Sequence, residues 1–343
     1  MFSEINVAVL GSTGYVGYEL VKILVNHPKV NINFLGCDSK INDTIFNKDK
    51  NLEFSKLPKL SMNIDFDVSK SDVVFLALPH GISHKYVKEY YNKIKIIDLS
   101  ADFRLDSEEI YNENYKTNHS CSNLLKEFVY GLPEINKRII INKSNIAVPG
   151  CYPTSILLPL IPLIKEQLIN LDNIIIDSKS GYSGAGKKFE ISNIKNSNDL
   201  NFYNYKTNNH QHICEIKQEL EKYNSKKNIN FSFNPHILPV FRGIMSTIYC
   251  DLNIGITIND IKNCYNNNYL DLPFIKIKKD EEKFDLFSVQ NTNNCLIKLF
   301  THTSDNKIII VSLIDNLIKG AAGQAIQCFN IIYNFDENLS LKN

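Results

Sequence analysis

Three glycines spaced by three, Gly11, Gly14 and Gly17, lie between a short apolar run and an amphipathic stretch. That order decides the class of fold. Asn6-Val7-Ala8-Val9-Leu10 reads as a strand, Gly11-Ser12-Thr13-Gly14-Tyr15-Val16-Gly17 as a turn, and the residues through Glu19-Leu20-Val21 and Ile23-Leu24 as a helix. Strand, glycine turn and helix in sequence form the βα unit in which such a motif gains meaning. Gly11 permits the tight turn, Gly14 lets the backbone approach a pyrophosphate, and Gly17 lets the helix pack closely. An anion there meets the N–H groups and positive dipole of the helix start. A βα turn without a ligand is the plainer alternative.

Length and composition bound the rest. At 343 residues the chain is too long for most single cores, so two domains are expected. It is 43% hydrophobic and 22% charged, as globular proteins are. A net charge of +1 invites neither nucleic acid nor an anionic membrane. No apolar stretch reaches the roughly 18 residues of a membrane span, and Ile5–Leu10 is too short for a signal peptide. Eight scattered cysteines form no C-x-x-C pair. That disfavours a zinc site or a disulfide scaffold and fits a reducing cytoplasm.

A second strand, Val30 to Leu35, runs into Gly36-Cys37-Asp38-Ser39-Lys40, where a dinucleotide fold selects its ribose. Asp38 alone suggests NAD, while Ser39 and Lys40 beside it suggest NADP. Later strands, Val73 to Leu78 and Ile94 to Leu99, end in the loops Pro79-His80-Gly81-Ile82-Ser83 and Ser100-Ala101-Asp102-Phe103-Arg104. Ligands in open α/β sheets bind at such carboxyl ends. His80 could equally cap its helix or face water.

In the second half, a strand-like run from Ile139 to Val148 ends at Pro149-Gly150, followed by Cys151 and an apolar helical run, Ser155 to Leu168. A thiol at a turn feeding a helix start gains thiolate character, and the thiolate is the nucleophile. A buried cysteine acting as a small hydrophobe is the usual alternative. The strand Asn173–Asp177 leads into a loop of small residues and lysines, Ser178 to Lys188, a plausible anion cradle or a mobile loop with solvated lysines. His210 and His212 open a helix that carries Glu215. Two histidines at i and i+2 suit zinc poorly, so no metal is expected. A histidine there is better placed to exchange a proton with Cys151, with Glu215 orienting it. Strands flank Pro239–Gly243, where Arg242 can contact an anion, and the small residues beyond Gly320 allow close helix packing.

The segments Gly11–Gly17, Leu76-Ala-Leu-Pro-His-Gly81, Asp98-Leu-Ser-Ala-Asp-Phe-Arg104, Tyr130-Gly-Leu-Pro-Glu134, Pro149-Gly-Cys-Tyr-Pro-Thr154, Ser183-Gly-Ala-Gly186 and Lys319-Gly-Ala-Ala-Gly-Gln-Ala325 occur in order over nearly the whole chain. Together they resemble the N-acetyl-γ-glutamyl-phosphate reductase family of arginine biosynthesis (type 1). More distantly they are similar to aspartate-semialdehyde dehydrogenases. The resemblance implies an α/β fold: a Rossmann NADP-binding domain (1–150 plus 315–343) with an inserted α+β catalytic and oligomerisation domain (151–314). It implies NADPH as cofactor, held by Gly11 to Gly17, Ser39, Lys40, Leu78, Pro79, His80, Ser183, Gly184, Ala185, Gly186 and Asn316. Cys151 becomes the acylated nucleophile, and His210 with Glu215 the preferred proton-handling pair, with His212 the alternative. Arg104, Lys187 and Arg242 are candidates for the substrate's phosphate or α-carboxylate. The implied partners are a small acyl phosphate and further copies of the chain, as homodimer or homotetramer; neither nucleic acid nor membrane is expected. Where the family has His-Arg-His-x-Pro-Glu, this chain has His-Gln-His-Ile-Cys-Glu, with Gln211 and Cys214 replacing arginine and proline.

The chemistry explains these residue types. Direct hydride transfer to a carboxylate is difficult, whereas a thioester splits the reduction into two easier steps. N–H groups at the start of the helix after Cys151 would hold the oxyanion, each worth about 3 kcal/mol. A cysteine hydrolase would leave the glycine turn idle, and a dinucleotide sensor would leave Cys151 idle.

Overall fold

The strand before the glycine turn, β1 (Ile5–Leu10), is an interior strand of a seven-stranded sheet in a computed structural model describing residues 4–38, 43–45, 57–187, 201–224, 228–301 and 306–342. The chain forms two compact units, Met1–Pro149 with Ala321–Leu341, and Gly150–Gly320 with Lys342–Asn343.

In the first unit, β1 is followed by α1 (Tyr15–Leu24), β2 (Val30–Cys37), β3 (Leu60–Met62), β4 (Val73–Leu76), α2 (Ser83–Tyr90), β5 (Lys95–Asp98), α3 (Glu108–Tyr115), β6 (Val129–Tyr130), α4 (Pro133–Ile140) and β7 (Asn145–Ala147). The strand order is β3-β2-β1-β4-β5-β7-β6, with every pairing parallel. The chain leaves β1 toward β2 on one side and returns as β4 on the other, so the glycine turn lies at the switch point where such sheets bind ligands. Strands buried on both faces read as unbroken apolar runs, and β4, Val73-Val-Phe-Leu76, is wholly buried. The returning helix α8 (Gly323–Ile332) adds Ala325, Ile326 and Phe329 to a core with Val7, Val9, Leu20 and Phe75.

The strand expected from Ile139 to Val148 is mostly not one. Ile139 and Ile140 end α4, which Pro133 opens at its first position, and only Asn145–Ala147 is extended. Proline at a helix start loses no internal hydrogen bond and presets φ, a local signal that outweighs the β-branched run behind it.

The second unit contains α5 (Cys151–Lys165), β8 (Ile174–Gly181), β9 (Tyr203–Asn204), α6 (His212–Glu221), β10 (Phe231–Leu238), β11 (Ile244–Asp251), α7 (Ile258–Tyr269), β12 (Ile275–Lys278), β13 (Cys295–Thr301) and β14 (Lys307–Ile314). Its mixed sheet has the order β12-β13-β14-β11-β8-β10-β9. β8 extends through Ser178-Lys179-Ser180, residues expected in a loop. Ser178 and Ser180 face inward, buried, while Asp177 and Lys179 lie on the other face and pair. That alternation is period-two, hidden in sequence by the polarity of the inward serines.

Helix α5 is buried from Tyr152 to Ile164. Pro162 lacks the N–H that would bond the Leu158 carbonyl one turn earlier. Tyr269 on α7 supplies the missing donor, its hydroxyl bonding that carbonyl, and Tyr265 donates to the Pro159 carbonyl at 2.8 Å. Ser155 on α5 and Ser178 on β8 each lie 2.7 Å from Ser246 on β11, tying the helix to the sheet through buried hydroxyls. Cys151, the first helical residue, is thereby fixed.

Candidate active site

The glycine turn is built as its spacing requires. Gly11 has φ +76°, and a Cβ there would lie 2.3 Å from the Ala77 carbonyl oxygen. A Cβ on Gly17 would lie 2.2 Å from the Gly11 carbonyl oxygen. Neither position admits a side chain. Gly14, the N-cap of α1, differs: a Cβ there would meet nothing nearer than 3.5 Å, and α1 has no side-chain cap. Its missing side chain leaves open the space before the helix N-terminus, where a dinucleotide pyrophosphate fits. Ser12 is fully buried and donates its hydroxyl to the Gly36 carbonyl at 2.9 Å, so it fastens the turn to β2. Thr13, Tyr15 and Val16 are half-buried. Asp38 is exposed at the end of β2, while Ser39 and Lys40 lie outside the described residues.

The loop after β4 is held from below by a buried carboxylate. Asp102 accepts hydrogen bonds from the Gly81 amide (2.7 Å), the Tyr111 hydroxyl (2.7 Å) and the His84 amide (3.2 Å). Gly81 takes φ +78°, turning the chain into α2. Leu78 is buried, whereas Pro79 and His80 are exposed. Asp98 is fully buried, and burial, with the neighbouring Asp102 second, holds its carboxyl well above the usual carboxylate range. Arg104 donates to the carbonyls of Val148 (2.7 Å) and Leu99 (2.8 Å), bracing the segment that leads to Cys151.

In the second unit Cys151 begins α5, with Gly150 as N-cap. All eight cysteines are free thiols, and only Cys151 and Cys214 are not buried. Cys214 donates to the Gln211 carbonyl one turn back. Cys151 therefore combines access with a helix N-terminus. Its Cβ faces Gly320 in a π-helical turn (Ile318–Ala322): a Cβ on Gly320 would lie 2.7 Å away. Neither that contact nor Asn63, which accepts from the Gly11 amide, was singled out from the sequence. The Lys319–Gly323 stretch carried a signal, but it read only as close helix packing.

Glu215 is fully buried, and its Oε1 accepts the Gly150 amide at 2.9 Å, satisfying a donor at the start of the Cys151 helix. His210 is 5% exposed. Its Nδ1 accepts the His212 amide at 3.1 Å, so the neutral ring carries its proton on Nε2. Nε2 lies 3.4 Å from the Tyr205 hydroxyl. Tyr205 donates to Tyr152 (3.5 Å), which donates to the His236 carbonyl (3.3 Å). The protons then run one way, and His210 enters the chain as a donor. Burial, with the Lys206 charge second, pushes its imidazolium down to about 3. His212, the half-buried first residue of α6, sets its ring 6.0 Å from that of Tyr152.

The small-residue segment splits between strand and turn. Ser183 and Asn316 are buried; Asn316 donates to the Ser183 hydroxyl at 2.9 Å and accepts the Gly243 amide at 2.7 Å, joining two turns. Gly184, Ala185 and Lys187 are exposed and Gly186 half-buried with φ +83°. Arg242 is buried, 3.3 Å from the fully buried Asp315, and also bonds Asn291.

Two family matches cover most of the chain. Residues 6–143 match the semialdehyde dehydrogenase NAD binding domain and residues 151–316 the semialdehyde dehydrogenase dimerisation domain. The N-acetyl-gamma-glutamyl-phosphate reductase of Ehrlichia canis is 43% identical over 100% of this chain and 99% of its own length. The chain belongs to the N-acetyl-gamma-glutamyl-phosphate reductase family. A Clostridium botulinum reductase of the same name is also 43% identical, over 98% of both chains. Beyond the reductase family, the fold is that of aspartate semialdehyde dehydrogenase II from Vibrio cholerae, with TM-score 0.73 at 17% identity over 97% of this chain and 99% of that one. A Candida albicans aspartate semialdehyde dehydrogenase structure with NADP gives TM-score 0.67 at 15% identity, over 98% and 100%. The architecture implied by the reductase resemblance, a parallel dinucleotide-binding sheet with a second domain of mixed sheet, is the one found. No helix among the described residues is long and apolar enough to cross a membrane.

Proposed function

We infer that this chain reduces N-acetyl-L-glutamyl 5-phosphate with NADPH to N-acetyl-L-glutamate 5-semialdehyde and phosphate, a step of L-arginine biosynthesis. One observation carries the reading: in a member of this reductase family, Cys151, not buried, is the first residue of a buried helix whose N-cap amide is accepted by Glu215.

The Cys151 thiolate attacks the acyl carbon; the carbon–oxygen bond to phosphate breaks, phosphate leaves with its electron pair, and a thioester remains. Bound NADPH supplies the hydride that reduces the thioester carbonyl. Amides at the start of α5 stabilise the oxyanion of each tetrahedral species. The hemithioacetal then collapses, releasing the semialdehyde and the thiolate.

His212, rather than His210, takes the thiol proton before attack and returns it to sulfur afterward. His210 has one ring nitrogen accepting an amide and the other donating, and its depressed imidazolium disqualifies it as a base near neutrality. Glu215, three residues after His212 in the first turn of α6, faces the same side and steadies the imidazolium. Of the three candidate cations, exposed Lys187 supplies one for the substrate phosphate, whereas Arg104 and Arg242 are engaged by internal partners and serve to hold the surrounding turns. Gly11 to Gly17, Leu78 to His80, Ser183 to Gly186 and Asn316 serve the dinucleotide.

The enzyme assembles as a homo-oligomer, supported by the dimerisation-domain match and by Ile175 and Tyr249, which stand 44% and 40% exposed on the face of the second sheet away from α5. Eight free thiols suit a reducing cytoplasm.

The test is the phosphate-dependent reverse reaction with NADP on a panel of semialdehydes. N-acetylglutamate semialdehyde is expected to react with the highest kcat/KM. Preference for the aspartate or aminoadipate semialdehyde overturns the substrate assignment.

A further inference from the structure

Asn63 opens a single 3-10 turn, Asn63–Asp65, directly after β3. It is 2% exposed, and both ends of its amide are engaged. Oδ1 accepts the amide of Gly11, the first residue of the glycine turn, at 3.0 Å. Nδ2 donates to Oδ1 of Asp38, just past the end of β2, at 2.7 Å. A third element makes room: a Cβ on Gly36 would lie 2.3 Å from the Asn63 Oδ1. One planar group thus couples the phosphate turn to the acid at the ribose-selecting position.

That acid poses a problem for an NADPH enzyme. A carboxylate at the end of this strand accepts the 2′-hydroxyl of NAD(H), but it repels a 2′-phosphate. A hydrogen bond to a charged oxygen is stronger than a neutral one and holds the carboxylate in place. We propose that Asn63 is a specificity-determining residue. By drawing Asp38 onto the turn after β3, it allows a 2′-phosphate to bind beside an acid that would otherwise select against it. The proposal rests on the NADPH reading above, and Asn63 acts on the cofactor only through Asp38 and Gly11.

The test is equilibrium binding of NADPH and of NADH to the full chain, followed by nicotinamide fluorescence without substrate. The variants are Asn63→Leu, Asp38→Asn and the two combined. Asn63→Leu is expected to lower the ratio of NADPH to NADH affinity by about tenfold, the scale of one hydrogen bond to a charged group. The double variant is expected to recover most of that ratio, because no charge is left to restrain. Asp38→Asn alone, at an exposed position, is expected to keep or raise the ratio, and it remains informative if the leucine variant does not fold. Equal loss of both dinucleotides in Asn63→Leu, or no recovery in the double variant, reduces Asn63 to a brace for the turn and overturns the proposal. A fall in the ratio for Asp38→Asn overturns it too, by making Asp38 a ligand of the phosphorylated ribose. Wild-type protein that prefers NADH overturns the cofactor reading itself, a result distinct from the other three.

Discussion

Gly320 leaves the space in which Cys151 stands: a methyl group at position 320 would lie 2.7 Å from the Cys151 Cβ and 3.2 Å from its Cα. The first is closer than carbon atoms approach and the second is tighter than most contacts, and the obstacle is the start of a buried helix, not a flexible side chain. Gly320→Ala is therefore expected to displace Cys151 and lower kcat at least tenfold, with a stability loss of about 1–3 kcal/mol typical of overpacking. NADPH affinity, measured by fluorescence titration, is expected to stay within twofold. Unchanged kcat would mean that the turn yields without moving the thiol.

Glu215 and Gly150 separate two roles of one carboxylate. Glu215→Gln retains an oxygen for the Gly150 amide, so its denaturation midpoint is expected near that of the wild type. Glu215→Ala leaves that buried donor unpaired and is expected to cost about 1–3 kcal/mol in urea unfolding. Both variants are expected to lose kcat, because neither can balance an imidazolium at His212. An active, stable Glu215→Gln removes the electrostatic role.

Cys151→Ser is expected to abolish NADPH oxidation with the acyl phosphate while cofactor binding persists. Activity above a few per cent in the serine variant would falsify the thioester route.

The two histidines differ in what pH does to them. His210 is expected to be neutral throughout the working range, with its folded value near 3 against an ordinary 6.5. The unfolded chain binds the extra proton first, so its contribution to stability is whole above about pH 6.5 and is lost as pH falls toward 3, at up to about 1.4 kcal/mol per unit. His210→Gln is expected to flatten that acid limb in urea titrations at successive pH values. His212→Asn is expected to cause the larger fall in kcat. A larger kcat loss at His210 returns the proton to that residue.

Tyr269→Phe tests the helix beneath the thiol. It removes the donor that replaces the amide missing at Pro162, leaving the buried Leu158 carbonyl without that partner. A loss of about 1–3 kcal/mol is expected in chemical denaturation, while KM for NADPH stays unchanged.

Much of the site is local in sequence. Strand, three glycines and helix follow one another within residues 5–24, so adjacent residues suffice to place the dinucleotide turn. Cys151 is legible for the same reason: proline, glycine and an apolar helix surround it in the chain. The inward serines of β8 are not local in this sense. Their polarity imitates a loop, and only Ser246, 68 residues along the chain, reveals what Ser178 bonds. The strand expected before Val148 failed because Pro133 starts a helix that absorbs its first residues.

By itself the sequence determined the dinucleotide turn and the parallel dinucleotide-binding class, because each rests on residue types at short, fixed spacings. Tertiary structure alone decided which partner each polar group took. Glu215 went to the Gly150 amide, His210 became a fixed donor to Tyr205, and Asn63 joined Gly11 to Asp38. Hydrogen bonds form between atoms about 3 Å apart in space. Glu215 and Gly150, 65 residues apart, and Asn63 with Gly11 and Asp38, 52 and 25 apart, meet only once the helices and strands that carry them have packed.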